Sequence, residues 1–354
     1  APAQAAYRRA LEAAASPGDR QRISYSLALA ALSAGDSAGA LAALRESLSG
    51  GDSGITELAS FRLAAALAAL GREPEALKAV GDFRARFPGS DLAEQALALE
   101  ASLLDRGGRG PDARELYTRL LARYPFSKRQ DEILFKRATS FLAAGEGSAA
   151  LKDFFAVVQG TPGSAYAPKS LYNIGIIYSQ RGEFARALPY FSEVIQQAGG
   201  DAQPGKDAGA QREAGPLGEL ASRAELASGV CLFNAGDYAR ALARFELLGR
   251  LPAQPDLQAQ GWYYGGRALY KLERLEEAEQ SFARAASALA GPEREEAYYW
   301  RAVSLFRLDR LGAARQAFLE LAGTFPEGPR AAEALYRAGM CAALGGEHPA
   351  ALAM

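Results

Sequence analysis

The chain has 354 residues, of which 49% are hydrophobic, so it could form two or three ordinary domains or one long repeat array. Its net charge of -1 argues against nucleic acid as the main partner, because such proteins usually carry a basic excess. The sequence contains no apolar run of about 18 residues, so no segment is predicted to cross a membrane.

The sequence starts at Ala1, without an initiator Met and without a signal-peptide layout. We therefore expect a processed protein or a part of a longer one. Ala3, Tyr7 and Ala10 fit the second helix of a repeat unit that begins earlier, and Met354 falls inside another second helix. Neither end offers the polar cap that usually closes a repeat array.

One pattern recurs along the whole chain in units of 36 or 37 residues. Its clearest copy is "GEFARALPYFSEVI" from Gly182, and "GDYARALARFELLG" from Gly236 repeats it. Aligning the copies gives a column of nine alanines: Ala40, Ala76, Ala113, Ala150, Ala187, Ala241, Ala278, Ala314 and Ala351.

Two further columns run in register with the alanines. Twelve residues earlier stands a small residue: Ala28, Ala64, Ala101, Ala138, Gly175, Gly229, Gly266, Ala302 or Gly339. Four residues later stands a large apolar one: Leu44, Val80, Tyr117, Phe154, Phe191, Phe245, Phe282 or Phe318. We interpret each unit as two antiparallel helices that approach closely at the small residues, joined by a turn in which glycine accepts a positive φ. One pair cannot bury its apolar face, so the units are expected to stack.

These columns resemble the tetratricopeptide (TPR) repeat, most clearly in "LYNIGIIYSQRGEFARALPYFSEVI" from Leu171 to Ile195, where Gly175, Tyr178, Ala187 and Phe191 have the signature spacing. The resemblance implies an all-α superhelix of about nine to ten helix-turn-helix units. The period exceeds the usual 34 residues, and the extra residues fall in linkers such as "FPGSDLAEQAL" and "YPFSKRQDEIL". This longer style is similar to the TPRs of bacterial envelope proteins, such as the lipoprotein BamD and the TolA-binding protein.

The alanine spacing widens to 54 residues around "QAGGDAQPGKDAGAQREAGPL", from Gln197 to Leu217. Complete units flank this stretch, so it is an insertion between units, and its composition predicts a mobile loop or hinge. We therefore predict an N-terminal part of the array over 1–198, the insertion over 199–216 and a C-terminal part over 217–354. We expect the two parts to stack continuously, and the alternative is that they swing as separate arrays.

No catalytic or metal-binding pattern stands out. "GDSG" from Gly51 is interpreted as a turn between units, since His348 is the only histidine and forms no catalytic pair. Cys231 and Cys341 share one column three units apart, too far for a disulfide, and are interpreted as buried apolar residues. The resemblance implies no enzymatic activity, and we expect no cofactor and no metal.

TPR arrays generally bind partners along the concave surface that their first helices line. The row fifteen residues before the alanines is expected to face that surface, and seven of its nine members are aromatic. The alternative is that these rings pack between helices. The candidate partner-binding residues are Tyr172, Tyr263, Arg267, Tyr270, Lys271, Tyr299, Phe306, Arg307 and Tyr336. Aromatics interleaved with cations suit a peptide with apolar anchors and acidic groups.

The leading hypothesis is a non-enzymatic interaction scaffold that binds a protein or peptide in its groove, in a bacterial envelope assembly. The alternatives are a regulatory arm of a larger protein, for example a cell-wall synthesis activator, and a purely architectural subunit of a machine, a homo-oligomer or a hetero-oligomer. The expected location is the periplasm or the outer membrane, with the cytoplasm as the alternative.

Overall fold

A computed structural model describes residues 2–199, 216–250 and 254–346. Within these ranges the chain forms 18 α-helices and no strand. The helices belong to two compact units, Ala1–Tyr166 and Ala167–Met354. The prediction of an all-α fold is confirmed.

Unit 1 contains the first nine helices. Their bounds are α1 Pro2–Glu12, α2 Pro17–Ser33, α3 Ser37–Ser47, α4 Ser53–Ala69, α5 Glu73–Arg86, α6 Ala93–Arg106, α7 Gly110–Arg123, α8 Gln130–Ala143 and α9 Gly147–Gly160. Helices α2 to α9 form four hairpins, each made of a first and a second helix. Helix α1 packs on α2, as expected for the second helix of a preceding unit.

Unit 2 contains the other nine helices. Their bounds are α10 Ala167–Gln180, α11 Phe184–Gln197, α12 Pro216–Asn234, α13 Tyr238–Leu248, α14 Pro255–Lys271, α15 Leu275–Ala288, α16 Gly291–Arg307, α17 Leu311–Thr324 and α18 Ala331–Leu344. Helices α10 to α17 form four more hairpins, and α18 is the first helix of a ninth. The second helix predicted around Ala351 lies outside the described residues.

The predicted insertion 199–216 lies almost wholly outside the described residues. Helices α11 and α12, which flank it, pack against each other, and α12 also contacts α10. The Cys231 thiol on α12 lies 3.3 Å from the Ser179 hydroxyl on α10. The division of the array into parts before and after the insertion stays a prediction.

The turn inside each hairpin is tight because one residue takes a left-handed conformation. Glycine does so in most hairpins, for example Gly182 with φ 74° and Gly236 with φ 84°. Glu273 (φ 62°) and Asp309 (φ 57°) occupy the same place between α14 and α15 and between α16 and α17. A side chain in this conformation costs on the order of 1 kcal/mol. These two hairpins therefore form despite a less favourable turn residue.

The alanine column is the centre of each hairpin. All eight of its described members have no exposed surface: Ala40, Ala76, Ala113, Ala150, Ala187, Ala241, Ala278 and Ala314. The large apolar column is equally buried, with no member more than 1% exposed. The sequence prediction of these two core columns is confirmed.

The small column on the first helix makes room for the ring on the second. A Cβ atom at Gly175 would lie 2.6 Å from Phe191 Cε1, and one at Gly229 would lie 2.5 Å from Phe245 Cε1. Real Cβ atoms do not approach ring carbons this closely, so glycine permits the contact. The close approach that the sequence predicted is confirmed in atomic detail.

A hydrogen-bonded latch recurs in unit 1, in the linkers that lengthen the repeat. The latch serines are Ser90, Ser127 and Ser164, and each hydroxyl donates to a carboxylate 33 residues earlier, on Glu57, Glu94 and Asp131 respectively. The Ser127 oxygen also accepts the backbone N–H of Arg129 at 2.9 Å, and the other two serines make the equivalent bond. The linkers of Ser90 and Ser127 are thus tied both to the preceding first helix and to the start of the next one, α6 and α8 respectively.

We predict that Phe154→Ala lowers the free energy of unfolding by about 3–5 kcal/mol, since Phe154 is fully buried and its loss leaves a cavity. Phe126, in the linker after α7, is 97% exposed and supplies the matched control in the same unit. Phe126→Ala is expected to change the free energy by less than about 0.5 kcal/mol. Urea unfolding followed by circular dichroism measures both, and equal effects would contradict the assigned core.

We also predict that Ser127→Ala destabilises the chain by about 1 kcal/mol, because it removes the donor to the half-buried Glu94 carboxylate and an acceptor for the Arg129 N–H. Ser49→Ala is the control, since the Ser49 hydroxyl is exposed and bonds only within its own helix turn, to the Glu46 carbonyl. Thermal unfolding compares the two variants. A shift no larger than that of Ser49→Ala would show that the latch contributes nothing to stability.

Candidate partner-binding groove

Three successive first helices of unit 2, α10, α12 and α14, line an open cleft of about 990 Å³. Its apolar floor is formed by Tyr172 and Ile176 on α10, Leu226 and Val230 on α12, and Leu257 on α14. All five side chains are half-buried, so each one offers surface to the cleft. An apolar segment of a partner could cover this floor.

The repeat register explains why these residues meet. Tyr172 and Leu226 both stand fifteen residues before a core alanine, and Ile176 and Val230 both stand eleven before. The same positions of neighbouring units therefore lie side by side on the cleft. The Tyr172 ring also packs edge-on against Phe191 at 5.8 Å between centroids, and burial raises the pKa of its phenol. One edge of this ring is thus fixed by the core.

The rim of the cleft is polar and of mixed charge. Glu219 and Arg223, one turn apart on α12, form an ion pair of 2.7 Å, and Asp256 and Gln260 of α14 complete the rim. Both partners of the ion pair are more than half exposed, so the pair contributes little to stability. The cleft combines an apolar floor with a polar edge, as protein-binding surfaces commonly do.

The model of the tetratricopeptide repeat family matches the chain over residues 2–55, 98–168, 135–202, 226–292 and 265–329. These matches cover well over half of the sequence. The chain belongs to the tetratricopeptide repeat family.

Solved structures agree with this TPR fold. A tetratricopeptide repeat protein from Parabacteroides merdae is 17% identical, with a TM-score of 0.52 over 80% of this chain and 98% of its own. The C-terminal part of a TPR repeat-containing protein from Cytophaga hutchinsonii is 15% identical, with a TM-score of 0.60 over 78% of this chain and 99% of its own. At these identities the likeness shows the fold alone. No curated protein matches the sequence.

Most of the predicted binding residues of the TPR array lie outside the cleft, and Tyr172 alone among the nine lines it. Tyr263 is 7% exposed and Tyr299 is 6% exposed. Their rings pack edge-on against Phe282 and Phe318, each at 6.3 Å. The geometry of these two rings therefore matches the alternative of packing between helices. Tyr336, on α18, is 71% exposed.

The other predicted residues form contacts between arginines and aromatic rings along α14 and α16. The Arg307 guanidinium lies 5.1 Å from the Tyr270 ring centroid and is paired with the Glu273 carboxylate. Phe306 is half-buried and Lys271 is exposed. The Arg267 guanidinium carbon lies between 4.9 and 5.8 Å from the centroids of three aromatic rings. No observation tests partner binding by these nine residues, so their role stays a prediction.

A charged network at the C-terminal end of unit 2 surrounds Tyr299. Its hydroxyl donates to Glu333 Oε1 at 2.7 Å, and Arg330 and Arg337 each approach the Glu333 carboxylate to 2.9 Å. The Arg330 guanidinium also lies 4.2 Å from the Tyr299 ring centroid. Tyr299 is therefore held by both its ring and its hydroxyl.

Sequence reasoning missed two features of this region. The cleft residues eleven before the alanine, Ile176 and Val230, were not selected as binding residues, although their register partner Arg267 was. The Glu333 network was also missed, because it joins α18 to α16 through side chains whose reach the repeat register does not give. The repeat register was the signal that could have identified the cleft residues, because Ile176 and Val230 share the position of Arg267.

The described residues contain no group of three or more His, Cys, Asp or Glu side chains that could hold a metal ion. Asp52 of the "GDSG" stretch caps α4 by accepting the Gly54 N–H at 3.0 Å, so the turn prediction is confirmed. Cys231 and Cys341 are both buried free thiols, as predicted. His348 lies outside the described residues. No described helix is long and apolar enough to span a membrane.

We predict that Glu333→Gln flattens the loss of stability in acid. The Tyr299 hydroxyl, with Arg330 and Arg337, holds the pKa of the Glu333 carboxyl at about 2, below the value of about 4.3 in an unfolded chain. The ionised carboxylate therefore stabilises the fold above about pH 4.3, and this contribution disappears as the pH falls towards 2.

Urea midpoints measured between about pH 2 and 7 test this dependence. Glu327→Gln, which removes an exposed carboxylate from the linker before α18, is the control. If Glu333→Gln lost as much stability as the parent chain between about pH 4.3 and 2, the network would not be the cause.

Proposed function

We propose that this TPR chain is a non-enzymatic scaffold that docks an extended or helical segment of a protein partner in the cleft between α10, α12 and α14. The observation that carries the proposal is the apolar floor, to which three successive units contribute half-buried side chains. An isolated monomer gains nothing from leaving these side chains open to water. A partner segment that covers these side chains would gain the free energy of removing their apolar surface from water.

The cleft suits a segment that brings a few apolar side chains and a polar backbone. Tyr172 supplies a rigid aromatic surface with a hydroxyl at its edge, which is typical of interface anchors. The polar rim of Glu219, Arg223, Asp256 and Gln260 can set the direction and register of the bound segment. Such contacts give recognition.

We further propose that the scaffold serves in a bacterial envelope assembly, in the periplasm or at the outer membrane. The support is the 36- to 37-residue period and the linkers that produce it, which resemble envelope TPR proteins. Fractionation of the source bacterium tests the location, and recovery of the protein only in the cytosolic fraction would contradict it.

We predict that Val230→Glu abolishes partner capture, because a carboxylate on the floor opposes the burial of apolar side chains there. The purified chain, carrying an affinity tag, is incubated with extract of the source bacterium, crosslinked and analysed by quantitative mass spectrometry. Partners that depend on the cleft are expected to fall at least about tenfold in Val230→Glu, a loss of about 1.4 kcal/mol or more.

Ala239→Glu is the matched control, since Ala239 is exposed on the second helix α13 and receives the same charge away from the cleft. Circular dichroism confirms that both variants fold. Unchanged recovery in Val230→Glu would overturn binding in the cleft. Recovery lost only in Ala239→Glu would point to the second-helix face and to an architectural role.

A further inference from the structure

Arg267 occupies a distinctive place on the groove side of the array. It stands on α14, eleven residues before its core alanine, in the position that Ile176 and Val230 hold in the two preceding units. Those two residues line the cleft. The same repeat position is therefore aliphatic in the first two of these units and cationic in the third.

Aromatic rings hold the Arg267 guanidinium in place. Its central carbon lies 4.9 Å from the ring centroid of Phe233 on α12 and 5.8 Å from those of Tyr263 and Tyr264 on α14. Three rings around one half-buried side chain restrict its rotamers. The electrostatic attraction between a cation and the ring faces favours this placement of the guanidinium.

Arg267 differs from the other arginines on the first helices of unit 2, because each of those has a carboxylate or a carbonyl partner among the described residues. The paired arginines and their carboxylates are Arg223 with Glu219, Arg301 with Glu279, Arg307 with Glu273, and Arg337 with Glu333. Arg294 donates to the carbonyl oxygen of Ala286 at 3.0 Å. Arg267 makes neither kind of bond to any residue that the structure describes.

No carboxylate that the structure describes forms an ion pair with Arg267. Burial is the main cause that raises the pKa of the neighbouring Tyr263 and Tyr264 phenols; Glu293 raises both further, Glu296 raises that of Tyr263, and Arg267 lowers both. Glu296 is instead paired with Arg330 at 2.9 Å. Lys271 follows Arg267 by one helical turn, is exposed, and has no ion pair with the described part of the chain.

We propose that Arg267, with Lys271 beside it, is the docking point for an acidic side chain of the partner segment whose apolar residues fill the cleft. This inference rests on the proposed function and names the chemistry of the partner: an internal segment in which Asp or Glu stands near large apolar residues. A planar guanidinium already fixed by rings can donate two parallel N–H bonds to a carboxylate without further ordering. The charge complementarity favours an anionic group over a neutral one.

Peptide display on the full chain tests this proposal. A library of random 12-residue peptides, fused at the N-terminus of a phage coat protein so that no free C-terminal carboxylate is displayed, is selected on the parent chain. The peptides recovered are expected to be enriched in Asp or Glu next to Leu, Phe or Tyr. Their affinities are then measured as synthetic peptides with an amidated C-terminus.

Replacing the acidic residue of a selected peptide with Gln or Asn is expected to weaken binding to the parent chain about tenfold or more, because a charge-assisted bond is lost. Arg267→Gln is expected to bind the unaltered peptide more weakly by a similar factor. Replacing the acidic residue of the peptide is expected to cause no further loss of affinity for this variant. Arg240→Gln on the second helix α13, which removes an exposed arginine paired with Asp237, is the control and should bind as the parent does. Thermal unfolding of each variant shows whether Arg267→Gln folds, and Lys271→Gln gives a second variant at an exposed position.

The possible outcomes separate this inference from the proposed function. Peptides that bind the parent and Arg267→Gln equally but lose affinity for Val230→Glu would overturn the acidic docking point and leave the cleft proposal standing. Peptides indifferent to Val230→Glu, or no selected peptides at all, would overturn both. A third outcome is that peptides with a free C-terminus bind more tightly than amidated ones and the acidic side chain has no effect. The site would then bind a C-terminal carboxylate and not an internal acidic side chain, which would contradict the proposal.

Discussion

The structure depends on the close approach of the two helices within each hairpin. Alanine on the second helix and a small residue on the first bring the backbones together, and a buried large apolar side chain, in most hairpins an aromatic ring, lies beside the contact. At Gly175 and Gly229 the space for a methyl group is already taken by the rings of Phe191 and Phe245. Because the interior is close-packed, this one contact fixes the geometry of every unit.

The same packing decides which side chains remain available for binding. The aromatic row fifteen residues before the alanine lies next to the buried rings, so Tyr263 and Tyr299 are drawn into the core against Phe282 and Phe318. The floor of the cleft contains two members of that row, Tyr172 and Leu226, and two residues that stand eleven before the alanine, Ile176 and Val230. A substitution at Tyr263 or Tyr299 would therefore disturb folding as well as any binding, which makes Val230 the more informative position.

Charge along the first helices is largely satisfied within the protein. The Glu333 carboxylate, for example, accepts a hydrogen bond from the Tyr299 hydroxyl and forms ion pairs with Arg330 and Arg337. Glu273, in spite of its unfavourable φ, pairs with Arg307 in the next hairpin. Arg267, which has no ion pair with any described residue, is therefore the place where we propose that a negative charge from outside the chain binds.

The sequence by itself determined the all-α repeat, its register and its core columns, because residues such as Ala187 and Phe191 recur at a fixed spacing and the spacing of an α-helix turns that register into faces. Only the tertiary structure decided which faces stay open. The partial exposure of Tyr172, the burial of Tyr263 and the lack of an ion pair at Arg267 depend on side chains from neighbouring helices. Those contacts join residues tens of positions apart, and a pattern along one chain does not give the distances between them.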